Sequence, residues 1–257
     1  MIFFARLHGA LQKLFPSPFV YPENHPPSTM NISSTFPILL LILLFGGLSA
    51  QDNNYSAAAD SDPEARVLLE KMRSKFEKYA SLSATFNLAI EIPGQPTELQ
   101  DGSMSQQGDQ YRVELAEQAI YCDGLTIWVH LKHNNEVQIN NVEEGEDTES
   151  LAPQDLLRVY EREDHVYALG NAYTRDGKPL QEIEFKPLDP DSEYAKLRLI
   201  MESKNLEPET IKVFNKDGSR YTLTIAEFTP NAKVSSEDFT FRPENFPDIF
   251  IEDLRID

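Results

Sequence analysis

Gln110-Tyr-Arg-Val-Glu-Leu115 is followed by Gln118-Ala-Ile-Tyr-Cys-Asp-Gly-Leu-Thr-Ile-Trp-Val-His-Leu131 and Glu136-Val-Gln-Ile-Asn140, and these segments decide the fold. Apolar and polar residues alternate through the first segment, which predicts a strand in a sheet with one apolar face. Asp123-Gly124 predicts a tight hairpin turn, because both central positions of that turn type require a positive φ. The region carries almost no residues typical of catalysis. It therefore favours a protein that binds an apolar ligand.

The composition excludes several classes of function. The chain has 257 residues, with 42 acidic and 23 basic side chains and a formal charge of −19. Such a charge disfavours binding to nucleic acids and electrostatic docking on anionic membranes. Cys122 is the single cysteine, so neither an intrachain disulfide nor a cysteine-based zinc site can form. We expect no cofactor and no stable membrane insertion.

The N-terminal region is typical of an export signal. The apolar run Phe36–Phe45 is too short for a membrane-spanning helix of about 20 residues but suits the core of a cleaved signal peptide. We predict a start at Met30, with residues 1–29 as a misassigned extension, although a start at Met1 stays open. The signal peptide would cover residues 30–50 and a flexible lead-in residues 51–62. No cysteine stands directly after the apolar run, so we expect an exported product without a lipid anchor.

Two helices are predicted within the folded region, residues 63–257. Asp62-Pro63 is typical of a helix start, and the helix is expected to continue to about Ala80. Its apolar stripe consists of Leu68, Met72, Phe76 and Tyr79. A second, short helix is predicted at 153–161, and it presents Leu156, Leu157 and Tyr160.

About eleven or twelve strands at short spacing account for the remainder. They include an alternating strand with Phe86 and Leu88, and strands at 98–107, 165–175, 194–202 and 239–242. Short hairpins between most of them predict an antiparallel meander. A sheet of this length curls or splits, because strand twist accumulates. We therefore predict a mainly β fold with helices, in which the two helices cover the concave face of a curled sheet.

Several motifs, taken in order, resemble a known family. These are Asp123-Gly-Leu-Thr-Ile-Trp128, Asn135-Glu-Val-Gln-Ile139, Pro153-x-x-Leu-Leu157 and Phe239-Thr-Phe241 with Phe250-Ile-Glu-Asp-Leu-Arg255. Together they resemble the periplasmic outer-membrane lipoprotein carriers of the LolA kind, most closely the Bacteroidota-like forms, over roughly residues 64–256. The resemblance implies an incomplete antiparallel β-barrel whose apolar cavity is closed by helical lids.

The resemblance also implies a binding site for acyl chains. The family's cavity positions fall on Phe76, Leu82, Tyr111, Val113 and Leu115, and the lid positions on Leu156 and Leu157. The alternation in the first strand adds Phe86 and Leu88, and the short helix adds Tyr160. Family members carry an Arg-Pro pair before the third strand that helps to hold the lid, whereas this chain has Gln106-Gln-Gly-Asp109 there. Arg112 alternates with the cavity residues, so we expect it to face outward.

The function implied is that of a monomeric periplasmic carrier. It would bind the acyl chains of lipoproteins, receive them from an inner-membrane lipoprotein-releasing transporter and deliver them to an outer-membrane acceptor. Two alternatives stay open, namely a single-domain sensor of lipids or lipoproteins and a carrier of another lipid.

An enzyme is the other class considered. His130 and His133, with Glu136 or Asp123, could suggest a metal site, but their spacing fits no familiar zinc pattern, and His133-Asn-Asn135 is typical of a turn. The motifs G-x-S-x-G and H-E-x-x-H do not occur. We therefore predict neither catalysis nor a metal.

Overall fold

The structure is a computed structural model that describes residues 57–142, 160, 164–192 and 194–255. One α-helix, α1 (Pro63–Phe76), precedes a single twelve-stranded sheet in this part of the chain. The strands are β1 (Leu82–Glu91), β2 (Glu98–Gln107), β3 (Gln110–Glu114), β4 (Gln118–Cys122), β5 (Thr126–Leu131), β6 (Glu136–Asn141), β7 (His165–Arg175), β8 (Lys178–Pro187), β9 (Tyr194–Glu202), β10 (Glu207–Asn215), β11 (Arg220–Pro230) and β12 (Phe250–Asp253). The predicted mainly β fold is confirmed.

The strand order is β12-β6-β5-β4-β3-β2-β1-β11-β10-β9-β8-β7. The meanders β1–β6 and β7–β11 join where β1 pairs antiparallel with β11. The sheet is large, curled and open, because its first and last strands do not pair with each other. β12 runs parallel to β6, with Phe250 opposite Glu136, so the expected antiparallel meander does not extend to this strand.

The hairpin at Asp123 forms with different central residues from those predicted. The main-chain N–H of Asp123 donates to the Thr126 carbonyl oxygen at 3.3 Å, which places Gly124 and Leu125 at the centre of the turn. Of these two, Gly124 alone has a positive φ, +95°. The Asp123 carboxylate accepts the N–H groups of Leu125 and Thr126 at 2.9 and 2.8 Å, which fixes this geometry. The turn type with two positive φ angles occurs instead at Asp176-Gly177, with φ of +51° and +78°.

Helix α1 begins at the predicted cap but ends earlier than predicted. The Asp62 carboxylate accepts the Glu64 N–H at 2.8 Å. After Phe76 the main-chain hydrogen bonds span three residues instead of four. The Tyr79 N–H donates to the Phe76 carbonyl oxygen at 3.0 Å. The Ala80 N–H is then taken by the Asn231 side chain at 2.9 Å, which directs the chain into β1 instead of extending the helix.

The strand predicted at 239–242 is wrong. Residues Ser236–Phe239 form a short 3-10 helix, and a second one follows at Pro243–Asn245. Residues 231–249, here called the arm, cover the outer face of the sheet, which is the face opposite α1. Phe241 and Phe246 of the arm pack against a cluster that contains Ala119, Tyr121 and Val137. The arm therefore buries an apolar patch that is separate from the helix-covered core.

His130 lies beneath the arm, against two aromatic rings. It is 4% exposed, and its ring centroid is 5.2 Å from that of Phe241 and 4.5 Å from that of Phe246. Burial and the nearby Lys132 ammonium lower the pKa of His130. The histidine is therefore a neutral part of the packing at neutral pH. In the described ranges, no group of three His, Cys, Asp or Glu side chains is placed to hold a metal ion.

Candidate functional site

The inner face of the sheet, which faces α1, carries one continuous apolar cluster. Helix residues Ala65, Leu69 and Met72 are at most 2% exposed and pack into this cluster. Its other buried members are Phe86, Leu88, Ile90, Leu115, Tyr160, Tyr167, Ile183, Phe185, Tyr194, Leu197, Leu199, Met201, Val213 and Tyr221. The surface spans both meanders, and α1 lies against it.

Most of the predicted cavity residues meet at this cluster. Phe86, Leu88, Leu115 and Tyr160 are buried members of it, while Phe76 and Val113 are partly buried and pack against it. Tyr111 belongs to a neighbouring cluster with Ile120 and Cys122, which Val113 also contacts. Leu82 is buried at the start of β1 but belongs to neither cluster. Leu156 and Leu157 lie outside the described residues.

A glycine allows two side chains of the cluster to pack closely over the sheet. The Phe86 ring lies over Gly102 of β2, so that a Cβ at this glycine would sit 2.5 Å from Phe86 Cε2 and 2.9 Å from Leu115 Cδ2. Any larger residue would push the ring away. Gly102 therefore lets Phe86 on β1 reach across β2 to Leu115, just beyond β3, and join three strands into one apolar surface.

Polar bonds hold α1 at its two ends. At its start, the Asp62 N–H donates to the Tyr167 carbonyl oxygen on β7 at 2.9 Å. At its end, Lys75 Nζ donates to the Asn205 carbonyl oxygen at 2.6 Å and to Glu207 Oε1 at 2.7 Å. Between these anchors, the contact with the sheet is apolar. The helix is thus a short cover whose removal would expose hydrocarbon surface.

Arginine contacts occur on both faces of the sheet, and only the one on the inner face involves α1. Arg112 faces outward as expected, since it pairs across the strands with Tyr121, and its guanidinium lies 4.7 Å from that ring centroid. Burial would raise the pKa of Glu114, but hydrogen bonds from Lys132 and Arg112 bring it below its ordinary value. On the other face, the Arg73 guanidinium of α1 lies 5.9 Å from the Tyr160 ring centroid. This contact joins the helix to the segment that precedes β7.

Part of the helix face and most of the second half of the surface were not predicted. Leu68 and Met72 were expected in the stripe, whereas Ala65 and Leu69 are the more deeply buried partners of Met72. The signal was available, because Ala65, Leu69 and Met72 follow the four-then-three spacing of one helix face. In β8 and β9, apolar residues stand at every second position, as they do in the first strands. These are Ile183, Phe185, Leu197 and Leu199.

A cleft of about 330 Å³ lies on the outer face of the sheet, on the side opposite the helix-covered cluster. It is lined by Ser83, Ser103, Met104, Ser105, Arg112, Glu114 and Asp238.

No helix within the described ranges is long and apolar enough to cross a bilayer.

Comparisons with known proteins identify the family. The sequence profile of the outer membrane lipoprotein carrier protein LolA matches residues 77–242. None of the curated proteins matches this chain. An uncharacterized conserved protein from Thermus thermophilus has a similar fold, with a TM-score of 0.50 and 12% identity, over 74% of this chain and 99% of that one.

Two further solved structures are similar at lower scores. A LolA superfamily protein from Nitrosomonas europaea has a TM-score of 0.37 and 16% identity over 69% of this chain and 97% of its own. LprF from Mycobacterium bovis has a TM-score of 0.40 and 13% identity over 68% of this chain and 96% of its own. Because the family profile covers more than half of the sequence, the chain belongs to the LolA family of outer membrane lipoprotein carrier proteins.

Proposed function

We propose that this protein binds the acyl chains of lipoproteins on the inner face of its sheet and carries them across the periplasm. Members of the LolA family bind or carry their ligands and are periplasmic. The observation that carries the proposal is the continuous apolar surface that lies under a helix anchored by polar bonds at its ends. A ligand that displaces the helix finds an apolar wall already built.

The energetics favour such an exchange. An acyl chain that leaves a bilayer loses about 0.8 kcal/mol for each methylene group exposed to water. In the closed structure, Leu69 and Met72 bury the same surface that acyl chains would bury in the loaded state. Binding then replaces one set of apolar contacts by another. Because the ligand must displace the helix contacts, its affinity for this site is lower than its affinity for an empty cavity would be. The ligand can therefore be released to an acceptor that binds it more tightly.

The residues we assign to the site are those that meet at the inner face. Phe86, Leu88, Leu115 and Tyr160 are members of the cluster there, and Phe76 and Val113 pack against it. We also assign Leu82 and Tyr111, which lie outside this cluster, and Leu156 and Leu157, which the family resemblance places on the lid segment. We further propose that the contact between Arg73 and Tyr160 fastens the helix to the lid segment, in place of the arginine found before the third strand in other family members. A lipoprotein-releasing transporter and an outer-membrane acceptor would be the partners.

Native mass spectrometry tests the proposal. We expect a one-to-one complex of the purified protein with a tripalmitoylated Cys-Ser-Ser-Asn peptide and none with the unacylated peptide. Protein purified from the cell envelope should also carry acylated protein. A protein that retains free lipid from the envelope and ignores the lipopeptide would instead support a lipid sensor or a carrier of another lipid.

A further inference from the structure

The two edge strands of the sheet differ in whether other residues of the described chain cover them. At the β7 edge, the main-chain N–H groups of Tyr167 and Leu169 donate to Ser61 Oγ at 3.2 Å and to Asp62 Oδ2 at 3.3 Å. The residues before α1 therefore cover this edge. At the opposite edge stands β12, which pairs with β6 on one side and with no other strand of the described chain. An unpaired strand edge is a template for strand addition.

The hydrogen bonds of β12 show which of its main-chain groups are unused by the sheet. The N–H groups of Phe250 and Leu254 donate to the carbonyl oxygens of Asn135 and Ile139, both at 2.9 Å. Main-chain groups of alternate residues in a strand point to opposite sides. Those of Ile251 and Asp253 must therefore point away from β6, toward the outer edge.

The side chains of this strand are also unusually exposed. Phe250 is 64% exposed, Ile251 45% and Leu254 46%, so apolar surface is available on both faces of β12. Phe250 shares a face with Glu136, and Ile251 shares the other with Val137. Clustered exposed apolar residues at a sheet edge are typical of an interaction site.

The charge of this region indicates the kind of partner. Glu136, Glu252 and Asp253 lie on or beside β12; Asp253 is paired with Arg255, which lowers the pKa of this carboxyl to about 2, so Glu136 and Glu252 supply the net negative charge. The whole chain carries −19, so a second copy is repelled. We propose that the outer edge of β12 accepts an extended strand of another protein, in which basic and apolar residues alternate. Main-chain bonds to Ile251 and Asp253 provide the pairing, and the carboxylates of Glu136 and Glu252 select basic side chains.

A peptide of alternating Lys and Val residues tests this inference by fluorescence anisotropy and amide NMR. We expect saturable binding with amide shifts at Ile251 and Asp253. Binding should be lost with a peptide of the same sequence N-methylated throughout, and with a Glu-Val peptide. Ile251→Pro removes an outward N–H together with the isoleucine side chain but no hydrogen bond between β12 and β6, so the variant should fold. It should bind at least about tenfold more weakly, as expected for a lost main-chain hydrogen bond.

Three results would overturn the inference. The first is no binding of the Lys-Val peptide, with shifts absent from β12. The second is equal binding to Ile251→Pro or by the N-methylated peptide, which would show charge attraction without strand pairing. The third is self-association of the protein that Ile251→Pro abolishes, which would make a second copy the occupant. Ile251→Thr keeps the N–H group and is the matched control, and it should retain binding.

Discussion

Leu115→Glu is expected to lower the affinity for a tripalmitoylated peptide by at least about a hundredfold, because a carboxylate in an apolar wall must lose its hydration without a partner. Leu115 is 4% exposed and lies against the Gly102 position that Phe86 also covers. The substitution therefore places the charge within the proposed surface, beside Phe86. Isothermal titration with the lipopeptide measures the loss.

Two further variants separate binding from folding in this experiment. Leu99→Glu introduces the same charge at an outer-face residue that is 74% exposed, and it should bind like the parent protein. Val113 lies on the inner face but is only partly buried, so the Val113→Glu variant should fold. Its affinity for the lipopeptide should be lower than that of the parent protein. If Leu115→Glu and Val113→Glu fold and keep full affinity, the inner face is not the acyl-chain site.

Leu69→Ala is expected to change stability and affinity in opposite directions. Leu69 is 2% exposed and packs on the sheet, so its truncation should lower the free energy of unfolding by about 2–5 kcal/mol. The same loss makes displacement of α1 easier. Because apparent affinity scales with the population of the open state, we expect lipopeptide binding to tighten by about tenfold or more. Chemical denaturation and titration measure the two effects.

The matched control for this variant lies on the exposed side of the same helix. Val67 is 47% exposed, and Val67→Ala should leave both quantities nearly unchanged. A parallel fall in stability and affinity for Leu69→Ala would mean that the helix belongs to the binding surface and is not displaced from it.

Much of the sheet could be predicted from the sequence, since strand alternation and turn residues are local signals. The bounds of β2, β7 and β9 agree with the prediction. The parallel pairing of β12 could not be predicted, because it follows from the path of the arm over the outer face, and contacts between distant residues set that path. The 3-10 helix at Ser236–Phe239 was not predicted either. It depends on a capping box, in which Ser235 and Asp238 satisfy each other's main-chain groups, while the alternation of Phe239 and Phe241 resembles a strand.

The apolar face that carries the proposed site was predictable in part, but the way in which the helix covers it was not. Alternation placed Phe86, Leu88 and Leu115 on one face, and the structure brings them together. The spacing of Ala65, Leu69 and Met72 marks one helix face, but it could not show that this face lies on the sheet residues, because the register of a helix on a sheet depends on packing. Nor could it show the contact of Arg73 with Tyr160, which joins residues far apart in the sequence.

Displacement of α1 on loading is the central claim, and a distance measurement tests it most directly. Spin labels at the exposed residues Ser74 on α1 and Thr229 on β11, in a Cys122→Ala background, report the separation of helix and sheet by double electron–electron resonance. The account predicts a longer, broader distance distribution with the tripalmitoylated peptide and no change with the unacylated one. An unchanged distribution at saturating lipopeptide would contradict it.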